Sequence, residues 1–406
     1  MRGHRAPRAF DGERVLPGGA LVLVEGATIV AVEPAAASAP ADCPVVDHPG
    51  ATMLPGLIDT HVHLCADSGP RALDQLAELG AGEVDAVVRD SLQVQLAAGV
   101  TAVRDLGDVG WAVVERHRGV GSGPTVVASG PPITSVRGHC WWLGGEAAGE
   151  EELRRAVQER AERGADVVKI MTSGGAMTPG TDLTACQFSA PELRAVVDEA
   201  HRHGLPVTAH AHGLPAVERS LAAGVDGIEH CSCMTPTGVR TPPELAARLA
   251  AAGTYVCPTL GRVPGMDPPQ RVLELLEALR ATYDGHHLPH VAELHRAGVV
   301  LLAGTDGGIG PGKRHGLVPM AVADLVTACG VPPVAALASA TAVAAAACGL
   351  AGRTGRLAAG LDADLLVVDG EPLTDITALR AVRAVVSRGR EVVPPAPGGP
   401  ATWPRV

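Results

Sequence analysis

An α/β fold, a (β/α)8 TIM barrel beside a small β-sandwich built from both chain termini, is predicted by three observations. Short aliphatic runs alternate with helical patterns through the middle of the chain. The two ends read instead as β-strands joined by turns. Finally, His61, His63, Lys169, His210, His230 and Asp306 lie in or just after aliphatic runs. Groups so far apart in sequence converge only where strand ends meet, as at the C-terminal face of such a barrel.

The strand candidates are 57–64, 101–106, 125–129, 167–171, 207–211, 227–231, 255–259 and 299–304. Most are largely apolar, as expected of parallel strands covered by helices. Helical patterns occupy 71–98, 150–163, 190–203, 216–223, 243–252 and 269–297. The links AAGVT, ERGAD, RHGLP, AAGVD, AAGTY and RAGVV each carry a glycine where a helix should stop, which marks serial helix-to-strand units. These elements assign 54–353 to the barrel. Residues 1–53 hold ALVLVEGATIVAVEP, and 354–406 hold DADLLVVDGEPL and LRAVRAVVSRGREVV. Neither end is long enough for a core of its own, so the two are expected to form one composite sandwich. The closing PPAPGGPATWPR reads as a loose tail.

A length of 406 residues suits a barrel of about 250 residues plus a smaller module. The net charge of −11 excludes the basic stripe of a nucleic-acid surface. Nine cysteines, an odd number without CxxC spacing, argue for a reduced, cytoplasmic setting. No secretory signal is expected, since MRGHRAPR runs into Asp11 and Glu13 instead of an apolar stretch. The uncharged stretch 331–352 is long enough to span a bilayer. It is Ala-rich, however, and holds Pro332, Pro333, Ser339 and Thr341, so it reads as a packed soluble helix and no membrane partner is expected. Aromatic residues are only 2%, which leaves the core to aliphatic side chains.

His61 and His63, at i and i+2 of a strand, leave the same face about 7 Å apart and can grip one ion. Two buried, backbone-bonded histidines fit that spacing equally well. Lys169 sits among Val167, Val168 and Ile170, where an unpaired ammonium is costly. It is either paired with a carboxylate or neutral, and a neutral amine can react with CO2 to give an anionic carbamate that bridges two cations. His210 and His230 end consecutive strands separated by one helix and are expected to hold a second ion. His212 shares the face of His210; it is an alternative ligand, placed here beside the metal or on the substrate. Asp306, after LLAGT, can ligate the first ion and accept a proton from water, or cap the next helix. His139 and Arg137 lie in one loop and are candidates to clamp a substrate carboxylate. Cys231-Ser232-Cys233 reads as packing, and His286, His287 and His290 as a surface cluster.

PGLIDTHVHL, the lysine strand, the two later histidine strands and GTDGG together resemble the metal-dependent amidohydrolase superfamily, over nearly the whole chain. ALVLVEGATIVAVEP and GRLAAGLDADLLVVDGEPL are similar to its opening and closing sandwich segments. The stretch VKIMTSGGAMTPGTDLTACQFSAPELRAVVDEAHRHGLPVTAHAHG most resembles the imidazolonepropionase-related subgroup that includes Xaa-Pro and Xaa-Arg dipeptidases and ochratoxinase. The resemblance implies two zinc-type ions, His61, His63 and Asp306 on the first and His210 and His230 on the second, with carboxylated Lys169 between them. Imidazolonepropionases themselves use one metal and lack this lysine. IGPGKRHGLVPMAVADLV lacks the acidic residue expected ahead of the last helix, and RGHCWWLGG is unusual in a chain so poor in aromatics.

The implied reaction is cleavage of an amide bond in a dipeptide or N-acyl amino acid by a metal-bridging hydroxide. A lactonase or carbamate-cleaving hydrolase would use the same site. A mononuclear deaminase or cyclic amidohydrolase would need one ion, and a non-catalytic binding protein none. The partners expected are a small-molecule substrate and, by analogy, further copies of the chain in a homo-oligomer.

Overall fold

The computed structural model describes residues 1–119, 121 and 123–392. The loose-tail reading therefore lies outside the described residues. Two antiparallel-rich sheets use the chain ends. One runs Thr28–Pro34, Ala20–Glu25, Arg2–Ala6 and Val45–Asp47. In the other, Ala51–Pro55 pairs parallel with Arg8–Phe10 and antiparallel with Leu365–Asp369, so amino- and carboxy-terminal segments share one sheet. Alternation along ALVLVE explains the packing. Val22 and Val24 join Met53, Leu365, Val367 and Val386 in one buried cluster, while Leu21 and Leu23 cover Cys43 on the opposite face.

The middle of the chain is parallel. Leu57–Val62, Val100–Asp105 and Thr125–Ala128 form one sheet. Val168–Met171, Val207–Gly213, Gly227–Thr235 and Tyr255–Cys257 pair in order in another. Isolated parallel bridges Ile133↔Ile170, Val256↔Leu301 and Val62↔Gly307 extend these neighbour relations. Helices lie between consecutive strands, as the apolar spacing requires. Ala190–Arg202 starts at a capping box in which Ser189 accepts from the Glu192 amide and Glu192 accepts from the Ser189 amide. Leu214–Ala223 ends on Gly224, whose φ of +86° is the left-handed conformation a helix stop needs.

Several expectations need correction. The 71–98 pattern divides into a 3-10 turn, Asp74–Ala77, and the helix Ala81–Ala97, with Gly80 at the break. The 269–297 pattern divides into Gln270–Ala278, a π-turn Tyr283–His287 and Leu288–Arg296, where Arg280 is left-handed and Pro289 restarts the helix. At 299–304 no strand is assigned; Leu301 makes only a bridge. Residues 331–352 form two short helices, Pro333–Ala338 and Ala342–Ala347, instead of one. Among the described residues no helix is long and apolar enough to cross a membrane.

A stacked pair, His4 and His48, is buried in the terminal sheets with ring centroids 5.7 Å apart. Burial first, then His48 and Arg2, lowers His4 from 6.5 to about 4. The unfolded chain then takes up the proton before the folded one. Stability tied to a neutral His4 is fully present above pH 6.5 and is lost as pH falls towards 4, on the order of 3 kcal/mol. Urea midpoints at pH 7 and pH 5 are expected to differ less in H4L/H48L than in the wild type.

Candidate active site

The six residues predicted to ligate metal do come together. His61 Nε2 and His63 Nε2 lie 3.4 and 3.2 Å from Asp306 Oδ1. Lys169 Nζ is 3.4 Å from His61 Nε2. His210 and His230 stack edge-on at 4.6 Å between centroids, and His230 stands 5.5 Å from His61. Two groups of three, His61–His63–Asp306 and His210–His212–His230, each gather their ligand atoms within 4.8 Å. His212 thus sits with the second pair, its Nδ1 3.0 Å from Ser232 Oγ.

The remaining ring nitrogens are held from behind. His61 Nδ1 meets Glu229 Oε2 at 2.7 Å, His63 Nδ1 meets Gly107 O at 3.1 Å, and His230 Nδ1 meets Thr259 Oγ1 at 2.9 Å. His210 is turned the other way, with Nε2 on Gly174 O at 3.2 Å. A histidine that donates through one nitrogen presents a lone pair at the other, as metal sites require. The donor set of imidazoles and a carboxylate suits zinc-class ions.

The lysine decides how the two groups relate. It is 1% exposed, and no carboxylate lies within ion-pair distance of it among the described residues. Burial lowers its pKa below the usual lysine value. The paired-lysine reading is therefore not what the structure displays. Burial, then Lys169, likewise lowers His61 to about 4. Burial alone would raise the Asp306 carboxyl, yet His61 and His63 hold it well below the usual carboxylate range.

Three supports escaped the sequence reading. Glu229, buried, binds His61 on one oxygen and Arg104 (2.9 Å) and Thr208 Oγ1 (2.6 Å) on the other. Asp59 accepts from the Thr305 amide (3.0 Å) and hydroxyl (2.6 Å), fixing the residue before Asp306. Lys313 Nζ donates to Thr259 O at 2.6 Å and Thr305 O at 3.1 Å, tying two strand-end loops together. The signal available was a charged residue inside an apolar strand: GIEHC and LIDTH carry it as plainly as VVKIM. Strain collects here as well. His230, Thr259 and Asp306 have φ of +66°, +50° and +59°, each costing on the order of 1–3 kcal/mol.

A cavity of about 610 Å³ opens above these groups. Leu73, Leu143, Met177, Met234, Val272 and Leu276 line it, with Arg262 and Lys313 on one side. His139 lines it too; its Nδ1 bonds Thr178 Oγ1 at 2.7 Å, and its Nε2 lies 3.6 Å from Cys140 Sγ. Its ring lies where a Cβ on Gly175 would be, 2.2 Å from Cε1, so this close approach requires glycine. Arg137 is not brought in. It is exposed, stacked over Trp141 at 3.7 Å. The predicted surface histidines also differ: His287 lines the cavity and His290 is buried.

The amidohydrolase family model matches residues 52–392. The chain belongs to the amidohydrolase family. It is 29% identical to ochratoxinase of Aspergillus niger over 362 residues, 82% of this chain and 73% of that one. A Xaa-Pro dipeptidase with methionine bound in its active site superimposes with a TM-score of 0.81 at 25% identity, covering 96% of this chain and 99% of the other. A prolidase complexed with N-methylphosphonate-L-proline gives 0.81 at 28%, with the same coverage. This amidohydrolase is accordingly a hydrolase acting on small molecules, and metal dependence is typical of its family.

Replacing Glu229 by Gln keeps the shape but weakens the grip on His61. Metal affinity, measured by competition with a chelator, is expected to fall about 10- to 100-fold. G175A should displace His139 and lower kcat/KM while leaving bound metal unchanged.

Proposed function

We propose that this chain is a binuclear amidohydrolase that cleaves the amide bond of a dipeptide or N-acyl amino acid. Its site would stand at the mouth of a (β/α)8 barrel over 54–353, beside a sandwich of 1–53 and 354–406. The ordered parallel pairings and the sheet shared by both termini support that architecture. The observation that carries the reading is Lys169: a buried amine, without a carboxylate partner, against the first histidine group.

His61, His63 and Asp306 would hold one cation and His210 and His230 the other, most simply zinc. Lys169 would lie between them as a carbamate, formed when its neutral nitrogen adds to CO2 and loses a proton. Two bound cations supply Lewis acidity and water that ionises near pH 7. Asp306, kept ionised by its histidine neighbours, takes the proton from the attacking water and returns it to the leaving amine. His139, its far nitrogen fixed by Thr178, orients the substrate carbonyl through Nε2. His212, held by Ser232, lines the same cavity. The methionine- and leucine-rich walls exclude water and favour an apolar side chain or acyl group. The products are a carboxylic acid and an amine. The dipeptidase and ochratoxinase likenesses support this substrate class.

Elemental analysis of zinc-loaded protein should give two ions per chain, together with turnover on a dipeptide or N-acyl amino acid panel. K169A is expected to lose at least about 100-fold in kcat with zinc added. One ion per chain with deamination instead of amide cleavage would replace the proposal, and full activity in K169A would remove the bridge.

A further inference from the structure

Alternation along Gly227–Thr235 sends His230, Ser232 and Met234 towards the cavity. Cys231 and Cys233 go the other way, beneath the helix Leu288–Arg296. Both thiols are completely buried, and both residues are left-handed, with φ of +49° and +48°. His290, 2% exposed, comes down from that helix between them. The two sulfurs and a ring nitrogen of His290 lie within 4.8 Å of one another.

We propose that Cys231, Cys233 and His290 form a separate binding site for a thiophilic d10 cation, of the zinc, cadmium or copper(I) class, on the far side of the strand that carries His230. Two sulfurs and one imidazole select soft ions over magnesium or calcium. Both ring nitrogens of His290 have partners. Nε2 donates to the Cys231 carbonyl at 2.5 Å, which leaves the lone pair on Nδ1. The Thr241 hydroxyl now resting on Nδ1 is the group an ion displaces. As the two metal–sulfur bonds form, two thiol protons pass to solvent and no atom changes oxidation state. A packing role needs none of this polarity; small apolar residues fill such a space without a buried imidazole whose two nitrogens both require partners. Because Cys231 follows His230 directly, filling the site shifts the backbone that holds an active-site histidine.

Cadmium chloride added to the reduced full-length protein tests the site without any assay of activity. Thiolate–cadmium bonds absorb in the near ultraviolet, whereas imidazole and carboxylate ligands in the active site do not. The wild type is expected to develop this band to saturation at one thiolate-bound cadmium per chain. C231S/C233S should lose it, and H290Q should weaken binding at least about tenfold. If the double variant does not fold by circular dichroism, C233S alone, a one-atom change, should lose about half of the band. A wild type without the band, or a band unchanged in C231S/C233S or C233S, overturns the proposal. Two zinc ions at the active site, or their absence, leave this outcome unaffected.

Discussion

The cost of sealing an amine away from water governs the rest of the site. Lys169 lies in a strand whose other side chains are aliphatic, so its charge has no solvent to spread into. An ammonium there would face imidazoles, which repel it when protonated and offer one lone pair when neutral. Deprotonation relieves the penalty, and the proposed conversion to an anion held by cations would relieve it further. The same logic runs through most of the neighbours: His61, His210 and His230 are pushed towards neutrality and Asp306 is kept charged, while His63, which burial alone would lower, is raised by Asp306. Neutral nitrogen and ionised oxygen are the protonation states that ligate metal. For His61, His210, His230 and Asp306, placement and protonation therefore point the same way.

Orientation is a second constraint, met from behind the ligands. Glu229 is the centre of a buried network in which Arg104 balances its charge and Thr208 fills its remaining lone pairs. Burial would raise its carboxyl, but Arg104 and His61 hold it well below the usual range. Breaking such a pair leaves a buried charge uncompensated, at about 3–5 kcal/mol. The left-handed backbone at His230, Thr259 and Asp306 fits this picture, since strain persists only where the surroundings over-determine a conformation. Lys313, bound to carbonyls on two of these loops, is one such determinant.

How much of this was legible in the sequence follows from where the information resides. The clustered residues proposed as ligands were readable because strand-end histidines and a lysine in an aliphatic run violate the local pattern. Glu229 and Asp59 violate it too, but each stands beside a more conspicuous histidine. Element boundaries failed where periodicity continues across a break: 269–297 keeps a helical stripe although Arg280 and Pro289 interrupt the backbone. The last run, 299–304, has strand composition but meets its neighbours only through single bridges. His290 was misplaced because a helix carrying three histidines looks solvated until the strand beneath it, with its two thiols, is known.

The division of labour between strands and loops explains why chemistry was easier to read than selectivity. Lys169, His210 and His230, three of the proposed ligands, hang from hydrogen-bonded strands whose register fixes them: Met171 faces His210, and Ala211 faces His230. The walls of the cavity come from loops, where no register applies. The segment bearing His139 shows how such a loop is stiffened. Arg137 lies flat on Trp141 while its amide donates to Glu146 at 2.7 Å, and Thr178 holds both the His139 ring and the Cys140 amide. A cationic side chain that reads as a substrate clamp is thus spent on the shape of its own loop. Its charge is directed at an indole face, and the recognition it was expected to provide falls to groups that the backbone carries into the cavity.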